Sequence, residues 1–266
     1  MHLLTHTGAL PPFTQYFLMD GDVTTRLESV FNTEPIIGLK EETKYSDVGL
    51  ITLGKVIEKV SGFPLDEFVD SLVFKPLGMN TTFYNPSPEK FRRIVPTEIA
   101  EGYRSGLSHG EVHDENAYSL GGVTGHAGLF STAEDLAVFS QMMLNGGIYG
   151  WKIILKEETV QLFTSKANVV EGSSRCLGWN SPEGKASGGV YLSDSSFGHT
   201  GYTGTSLWID PENNMIVILL TNAVHPDRLW KDPKYFDWRQ RVHSAVYEAV
   251  GITEKNPNLD WRKKWD

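Results

Sequence analysis

The stretch His199-Thr200-Gly201-Tyr202-Thr203-Gly204-Thr205-Ser206-Leu207-Trp208-Ile209-Asp210-Pro211-Glu212-Asn213-Asn214-Met215-Ile216-Val217-Ile218-Leu219-Leu220 decides the fold. Gly201–Asp210 and Met215–Asn222 are runs rich in β-forming residues, and Pro211-Glu212-Asn213-Asn214 between them has the chemistry of a tight connection, so the two runs read as an antiparallel hairpin. Leu177–Trp179 reads as a neighbouring strand, and Phe236–Val250 as a closing helix that packs on the sheet. The fold class that follows is α/β or α+β, with helices layered on an antiparallel sheet.

Upstream the period changes. Val48, Ile51, Val56, Ile57 and Val60 recur at helical spacing, with Ser46 or Asp47 as the N-cap and Gly62 suited to the left-handed closing position. This places Tyr45 on the loop that enters the helix. A second helix is expected from Pro64, with Leu65, Phe68, Val69 and Leu72 on its apolar side and Pro76-Leu77-Gly78 at its end. Residues 1–44 read as irregular with short helical pieces, and residues 79–130 as a long loop-rich connection of the kind that lines sites. Ser131-Thr132-Ala133-Glu134 has the pattern of a capping box, opening a helix that stops at Gly146-Gly147.

The chain has 266 residues, enough for a sizeable core and for one large domain. Its 24 Lys and Arg against 33 Asp and Glu give a net charge of −9, which argues against nucleic acid as a partner. The single cysteine, Cys176, excludes an internal disulfide and a thiolate metal cluster, and reads as a small buried hydrophobe. The longest apolar run, Met215–Leu220, has strand length and falls far short of the ~18 residues of a membrane span. Met1–Pro12 has neither a cationic region nor an apolar core nor a cleavage site, so it does not read as a signal peptide, and the chain as it stands reads as cytoplasmic.

Phosphate-loop, dinucleotide, zinc-helix, EF-hand and nucleophile-elbow patterns are absent from the sequence. The glycine cluster Gly121–Gly128 reads as a tight loop needing positive φ rather than a phosphate cradle. A tyrosine at a helix mouth, such as Tyr45, serves as a general base when cations depress its pKa, although taken singly it reads first as a core or capping residue. His199-Thr200-Gly201 is either an oxyanion-binding edge or a plain strand start. His113, Asp114, His126 and His199 lack any local ligand spacing, so no metal is expected, and His113 and Asp114 are assigned to the substrate wall.

Taken together, Leu3-Leu4-Thr5-His6-Thr7-Gly8-Ala9-Leu10-Pro11, Tyr45-Ser46-Asp47, Gly125-His126-Ala127-Gly128-Leu129-Phe130-Ser131-Thr132 and His199-Thr200-Gly201 with Trp208-Ile209-Asp210-Pro211 resemble the serine beta-lactamase-related superfamily. The nearest branches are class C beta-lactamases, low-molecular-weight penicillin-binding proteins and family VIII esterases. The resemblance runs in order over nearly the whole chain. It implies one beta-lactamase/transpeptidase-like domain over residues 1–266, helical and loop-rich to about 150, with the sheet and closing helix over about 151–253. It implies no cofactor, and a small-molecule or peptide-like substrate carrying an ester, amide or beta-lactam carbonyl.

Residue by residue, Tyr45 falls on the tyrosine of Tyr-x-Asn, which shuttles the proton of the attacking serine. Asp47 stands where that motif has Asn, adding negative charge near the base. His199-Thr200-Gly201 falls on Lys-Thr-Gly, with His199 in place of Lys, and the implied substrate and oxyanion residues are Thr200, Gly201, Tyr202 through its amide, and Thr203. The family's Ser-x-x-Lys nucleophile and its N-terminal strands have no counterpart. The literal Ser87-Pro88-Glu89-Lys90 lies between prolines in a loop, away from any helical face that would align Ser and Lys. The expectation is therefore a hydrolase domain inactive on its own and prone to self-association. The alternatives are a non-catalytic binding or regulatory module and a hydrolase with a different nucleophile or a metal.

Overall fold

The computed structural model describes residues 1–231 and 234–262. It divides into two compact units, one formed by Met1–Asp135 with Asn168–Ser173, the other by Leu136–Ala167 with the chain from Ser174 onward. No helix among the described residues is long and apolar enough to cross a membrane.

The first unit is helical. Asp22 opens α1 (Val23–Phe31) by accepting from the Thr25 amide at 2.9 Å. Ser46 caps α2 (Asp47–Ser61), and Gly62 closes it at φ 77°, as the sequence indicates. Tyr16, Val30, Val48, Ile51 and Leu120 form the core against which α1 and α2 pack. The second helix differs in detail from its sequence reading. Pro64 is the N-cap of α3 (Leu65–Val69), and the chain passes through a π-helical turn at Asp70–Phe74 into α4 (Lys75–Leu77). The wider turn shifts the helical register, so Leu72 is exposed while Leu65, Phe74 and Leu77 are buried.

The region 79–130 is less irregular than expected. It contains a hairpin of β1 (Ile99–Ala100) and β2 (Gly106–Leu107), and α5 (Glu115–Ser119), which Asp114 caps through the Ala117 amide. The expected capping box is displaced by one residue. Thr132, not Ser131, accepts an amide of the first turn of α6 (Ala133–Leu144), that of Asp135 at 3.3 Å, and Glu134 does not carry the reciprocal role. Asp135 turns its carboxylate to the Thr81 amide and to the Thr81 and Thr82 hydroxyls at 2.7–2.8 Å. A tertiary network has taken the place of the local one.

In the second unit, β3 (Ile148–Tyr149) and β4 (Lys152–Ile153) form a short hairpin ahead of α7 (Glu157–Thr164). The sheet is antiparallel in the order β5 (Phe197–Thr200), β6 (Ser206–Asp210), β7 (Met215–Leu219). The β6–β7 hairpin turns at Pro211–Asn214, with Asp210 opposite Met215, as its turn residues require. The run Gly201–Asp210 is not one strand, however. Gly201–Thr205 is a turn closed by the Gly201 amide on the Thr205 carbonyl at 2.8 Å, so Gly201, Tyr202 and Thr203 lie on a loop tip and the strand begins at Ser206. Leu177–Trp179 is a bend rather than a strand, flanked by isolated bridges of Asn180 with Arg175 and Gly198. α8 (Lys234–Ala249) closes the unit, and Val190, Leu192, Trp208, Val217, Tyr247 and Leu259 form its core.

Candidate functional site

Tyr45 is fixed by the residues on either side of it. The Lys44 amide donates to the His6 carbonyl at 2.9 Å, the Ser46 amide to His6 Nδ1 at 3.1 Å, and the Asp47 amide to the Pro12 carbonyl at 3.0 Å. The Ser46 hydroxyl both accepts from the Gly49 amide at 3.2 Å and donates to the Pro11 carbonyl at 2.6 Å. Because a backbone amide can only donate, His6 Nδ1 is an acceptor and any single ring proton is on Nε2. The His6 ring is buried and lies against Tyr45 with centroids 4.3 Å apart, leaving the phenol 37% exposed at the mouth of α2. The segment containing His6 thus forms the seat of Tyr45, a role that nothing in the sequence marks beyond its place in the resemblance.

Behind Tyr45 stands a half-buried polar array. The Tyr45 hydroxyl hydrogen-bonds the Asp47 carboxylate. Burial, with the like charge of Asp114, pushes the Asp47 carboxyl above the usual range, while the His126 charge and the Tyr45 hydrogen bond oppose the rise. Asp114 Oδ1 accepts from the Ala117 amide at 2.8 Å and meets His126 Nε2 at 2.9 Å. Burial works to raise the Asp114 carboxyl too, but His126, the Ala117 amide and the charge of His113 outweigh it, and Asp114 ends below the usual aspartate value. His126 Nδ1 lies 2.9 Å from the Thr124 hydroxyl, which itself donates to the Ala127 carbonyl. His113 pairs with buried Glu98 at 2.7 Å.

Asp47, Asp114 and His126 each bring one atom within 4.8 Å of the others, a grouping that differs from the His113, Asp114, His126 and His199 set raised by the sequence. Both His126 nitrogens are already engaged, to Thr124 and Asp114, and the Asp47 carboxylate lies beside that pair. The glycine-rich loop explains how His126 reaches this place. At Gly125 a Cβ would fall 2.2 Å from the Leu50 carbonyl oxygen, and at Gly54 one would fall 2.9 Å from the Gly125 amide. Two glycines let the loop lie directly on the backbone of α2, one turn beyond Asp47.

In the second unit, His199 and Thr200 end β5, paired with Leu207 and Ser206. A Cβ at Gly198 would sit 2.4 Å from the Trp208 ring, so only glycine fits before His199. His199 Nδ1 donates to the Thr200 carbonyl at 3.0 Å, which fixes the Nδ1–H tautomer and leaves Nε2 as an acceptor. Burial, reinforced by the Arg175 charge, lowers the His199 pKa despite that hydrogen bond. The imidazole is therefore neutral near pH 7, and Arg175 is the standing cation beside it. The following turn is anchored by the Ala223 amide on the Thr203 carbonyl at 2.6 Å and the Thr221 hydroxyl on the Gly204 carbonyl at 2.7 Å. Tyr202 projects 58% exposed, its carbonyl and ring held by the Lys231 ammonium.

The literal Ser87–Lys90 pair is not aligned. The Ser87 hydroxyl donates to Glu89, while the Lys90 ammonium lies over the Phe83 ring at 3.7 Å.

Comparison with known proteins agrees with this fold. The chain is 38% identical over 247 residues to proteins of Escherichia coli K12 and Salmonella gallinarum, each named "Putative D-alanyl-D-alanine carboxypeptidase"; the match takes in 84% of this chain and 56% of theirs. The chain thus spans little more than half the length of these relatives. In fold it is similar to simvastatin synthase LovD of Aspergillus terreus, with a TM-score of 0.67 at 18% identity over 95% of this chain and 69% of that one. It is similar also to the octameric penicillin-binding protein homologue of Pyrococcus abyssi, with a TM-score of 0.66 at 21% identity over 96% and 56%. The Beta-lactamase family profile matches residues 1–240, and the chain belongs to that family, within the serine beta-lactamase-related superfamily.

Proposed function

We propose that this chain carries the proton-handling tyrosine and the substrate-binding strand of a serine hydrolase that acts on peptide-like D-Ala-D-Ala, ester or beta-lactam carbonyls. The observation that carries the reading is the seating of Tyr45: three backbone amides and the His6 ring hold a half-exposed phenol at the mouth of α2, with a carboxylate directly behind it. In the reaction a serine attacks the carbonyl, Tyr45 takes the serine proton and returns it to the leaving group, and the Tyr202 amide helps hold the oxyanion. His199 stands at the strand end as a neutral imidazole, and Arg175 supplies the charge that attracts a terminal carboxylate. The reading needs a Ser-x-x-Lys helix. Ser87 and Lys90 do not provide one, since their side chains bind Glu89 and Phe83 instead of each other.

The test is covalent labelling with a fluorophosphonate and a fluorescent penicillin, read by intact mass. The 266-residue chain should bind a D-Ala-D-Ala peptide reversibly without being acylated. A version extended ahead of Met1 by a helix bearing the family's Ser-x-x-Lys pattern should acylate, and lose this with Tyr45→Phe. An extended protein that folds and binds but never acylates would leave a ligand-binding module in place of the hydrolase. Stoichiometric labelling of the unextended chain, abolished by Ser87→Ala, would overturn the assignment of the nucleophile.

A further inference from the structure

The Asp47 carboxylate does something an asparagine in its position cannot do, because an amide oxygen accepts a hydrogen bond but does not take up a proton at working pH. Its surroundings are arranged around that difference. The carboxylate sits in the first turn of α2, where the helix dipole favours negative charge. It receives the Tyr45 hydroxyl on one side and faces the His126 imidazole on the other. His126 has 2% of its side chain exposed and cannot turn away, because Thr124 and Asp114 hold its two nitrogens and the Gly125–Gly54 contact holds its backbone against α2. Asp114 is itself immobilised as the N-cap of α5.

We propose that Asp47 is the proton acceptor behind Tyr45, and that His126 and Asp114 are the positioning residues that hold it in that state. The proposal rests on the reading of Tyr45 as the group that handles the serine proton. As the serine oxygen attacks, its proton passes to the Tyr45 oxygen while the Tyr45 proton passes to Asp47. When the leaving group departs, Asp47 returns its proton to Tyr45 and Tyr45 protonates the leaving atom, so both residues end as they began. Burial and Asp114 bias Asp47 toward accepting a proton, and His126 keeps it ionised until then. The charged and titratable groups that face this assembly are His6 against Tyr45, His113 with Glu98 behind Asp114, and Asp114 itself.

The experiment needs no turnover, so it fails or succeeds independently of the hydrolase reading. Tyrosine labelled with ¹³C at Cζ reports the ionisation of Tyr45 in the wild-type chain, in Asp47→Asn and in His126→Gln, with Tyr45→Phe assigning the signal. Asp47→Asn removes the carboxylate that retains the phenol proton, and the Tyr45 midpoint should fall by at least about one pH unit. His126→Gln removes the imidazole that faces the Asp47 carboxylate, and the midpoint should rise. Thermal melts of the two variants and their combination give a second readout. The raised Asp47 carboxyl favours the fold below its unfolded value of 3.8, and this contribution is lost as pH climbs through the folded value, so Asp47→Asn should raise Tm most at pH 7–8 and least at pH 4. His126→Gln should cost at least about 2 °C more in the wild-type background than in the Asp47→Asn background. A Tyr45 midpoint unmoved by both substitutions, or melting effects that simply add at every pH, would overturn the proposal.

Discussion

Replacing Gly125 by alanine should unseat the array behind Tyr45 without touching any polar group in it. The added Cβ would stand 2.2 Å from the Leu50 carbonyl oxygen and 3.1 Å from the Gly54 amide nitrogen, both backbone atoms in the middle of α2. No side chain can swing aside to make room, so the loop must lift from the helix or the helix must bend. Overpacking of this kind costs about 1–3 kcal/mol, and since part of the strain would be relieved by moving the loop, about 2 kcal/mol is the expected loss. At about 2–4 °C per kcal/mol for a protein of this size, the melting temperature should fall by about 4–8 °C in calorimetry. Gly62→Ala is the matched control: its φ of 77° makes alanine strained there, but the Cβ would meet open space, so it should cost about 1 kcal/mol and leave the Tyr45 titration unchanged. In Gly125→Ala the lifted loop carries His126 away from Asp47, and the Tyr45 midpoint should move as it does in His126→Gln. A fall below about 1 °C, or a full destabilisation with the Tyr45 titration intact, would refute the claim that glycine at 125 places His126.

Buried His243, bonded through Nε2 to Ser206 at 2.8 Å, has its pKa lowered from 6.5 to about 4, chiefly by burial and then by the Arg239 charge. The unfolded chain takes up a proton below 6.5 that the folded chain refuses until about 4; stability should fall by about 3 kcal/mol as pH drops across that window, and His243→Gln should flatten the slope in pH-dependent urea melts. Cys176 is buried and donates to the Thr164 carbonyl, and burial pushes its thiol up to about 11, so a thiol-reactive dye at pH 8 should label native protein far more slowly than urea-unfolded protein. Arg175→Gln should weaken binding of a peptide carrying a free terminal carboxylate by roughly tenfold and leave its amidated analogue unaffected, as read by calorimetric titration.

Elements whose specification is local were legible in the sequence. The α2 helix has its cap at Ser46, its stop at Gly62 and its apolar face all within one window, and the β6–β7 hairpin has its turn residues in place. Where a local signal competed with tertiary structure, the reading slipped. The acid of α6's first turn is taken up by Thr81 and Thr82, some fifty residues away, which moves the cap to Thr132. The apolar period of residues 65–77 is broken by a π turn that no pattern of period 3.6 anticipates, which turns Leu72 outward. The β-rich residues of Gly201–Thr205 fold back instead of extending, because Gly201, Gly204 at φ 124° and the clasp of Thr221 and Ala223 favour a turn.

The site divides along the same line. Tyr45, Asp47 and His199 stand out in the sequence because each sits at a helix mouth or a strand end that a short motif marks. What each does depends on partners the motif does not contain. His199 stands where the resemblance leads one to look for a lysine, but burial and the Arg175 charge lower its pKa, and the positive charge that acts on it comes from Arg175, twenty-four positions upstream. Asp47 reads alone as an unfavourable acid beside a base. His126, brought against it by two glycines seventy-one residues apart, is itself bonded to Asp114, and the charge of His113, which pairs with Glu98, acts on Asp114 in turn. A buried carboxylate is tolerable only where such partners converge, so the departure at position 47 and the histidine at 126 are two parts of one arrangement. It follows that changing Asp47 to the amide its position would ordinarily hold should make His126 dispensable, whereas changing His126 first should make Asp47 a liability.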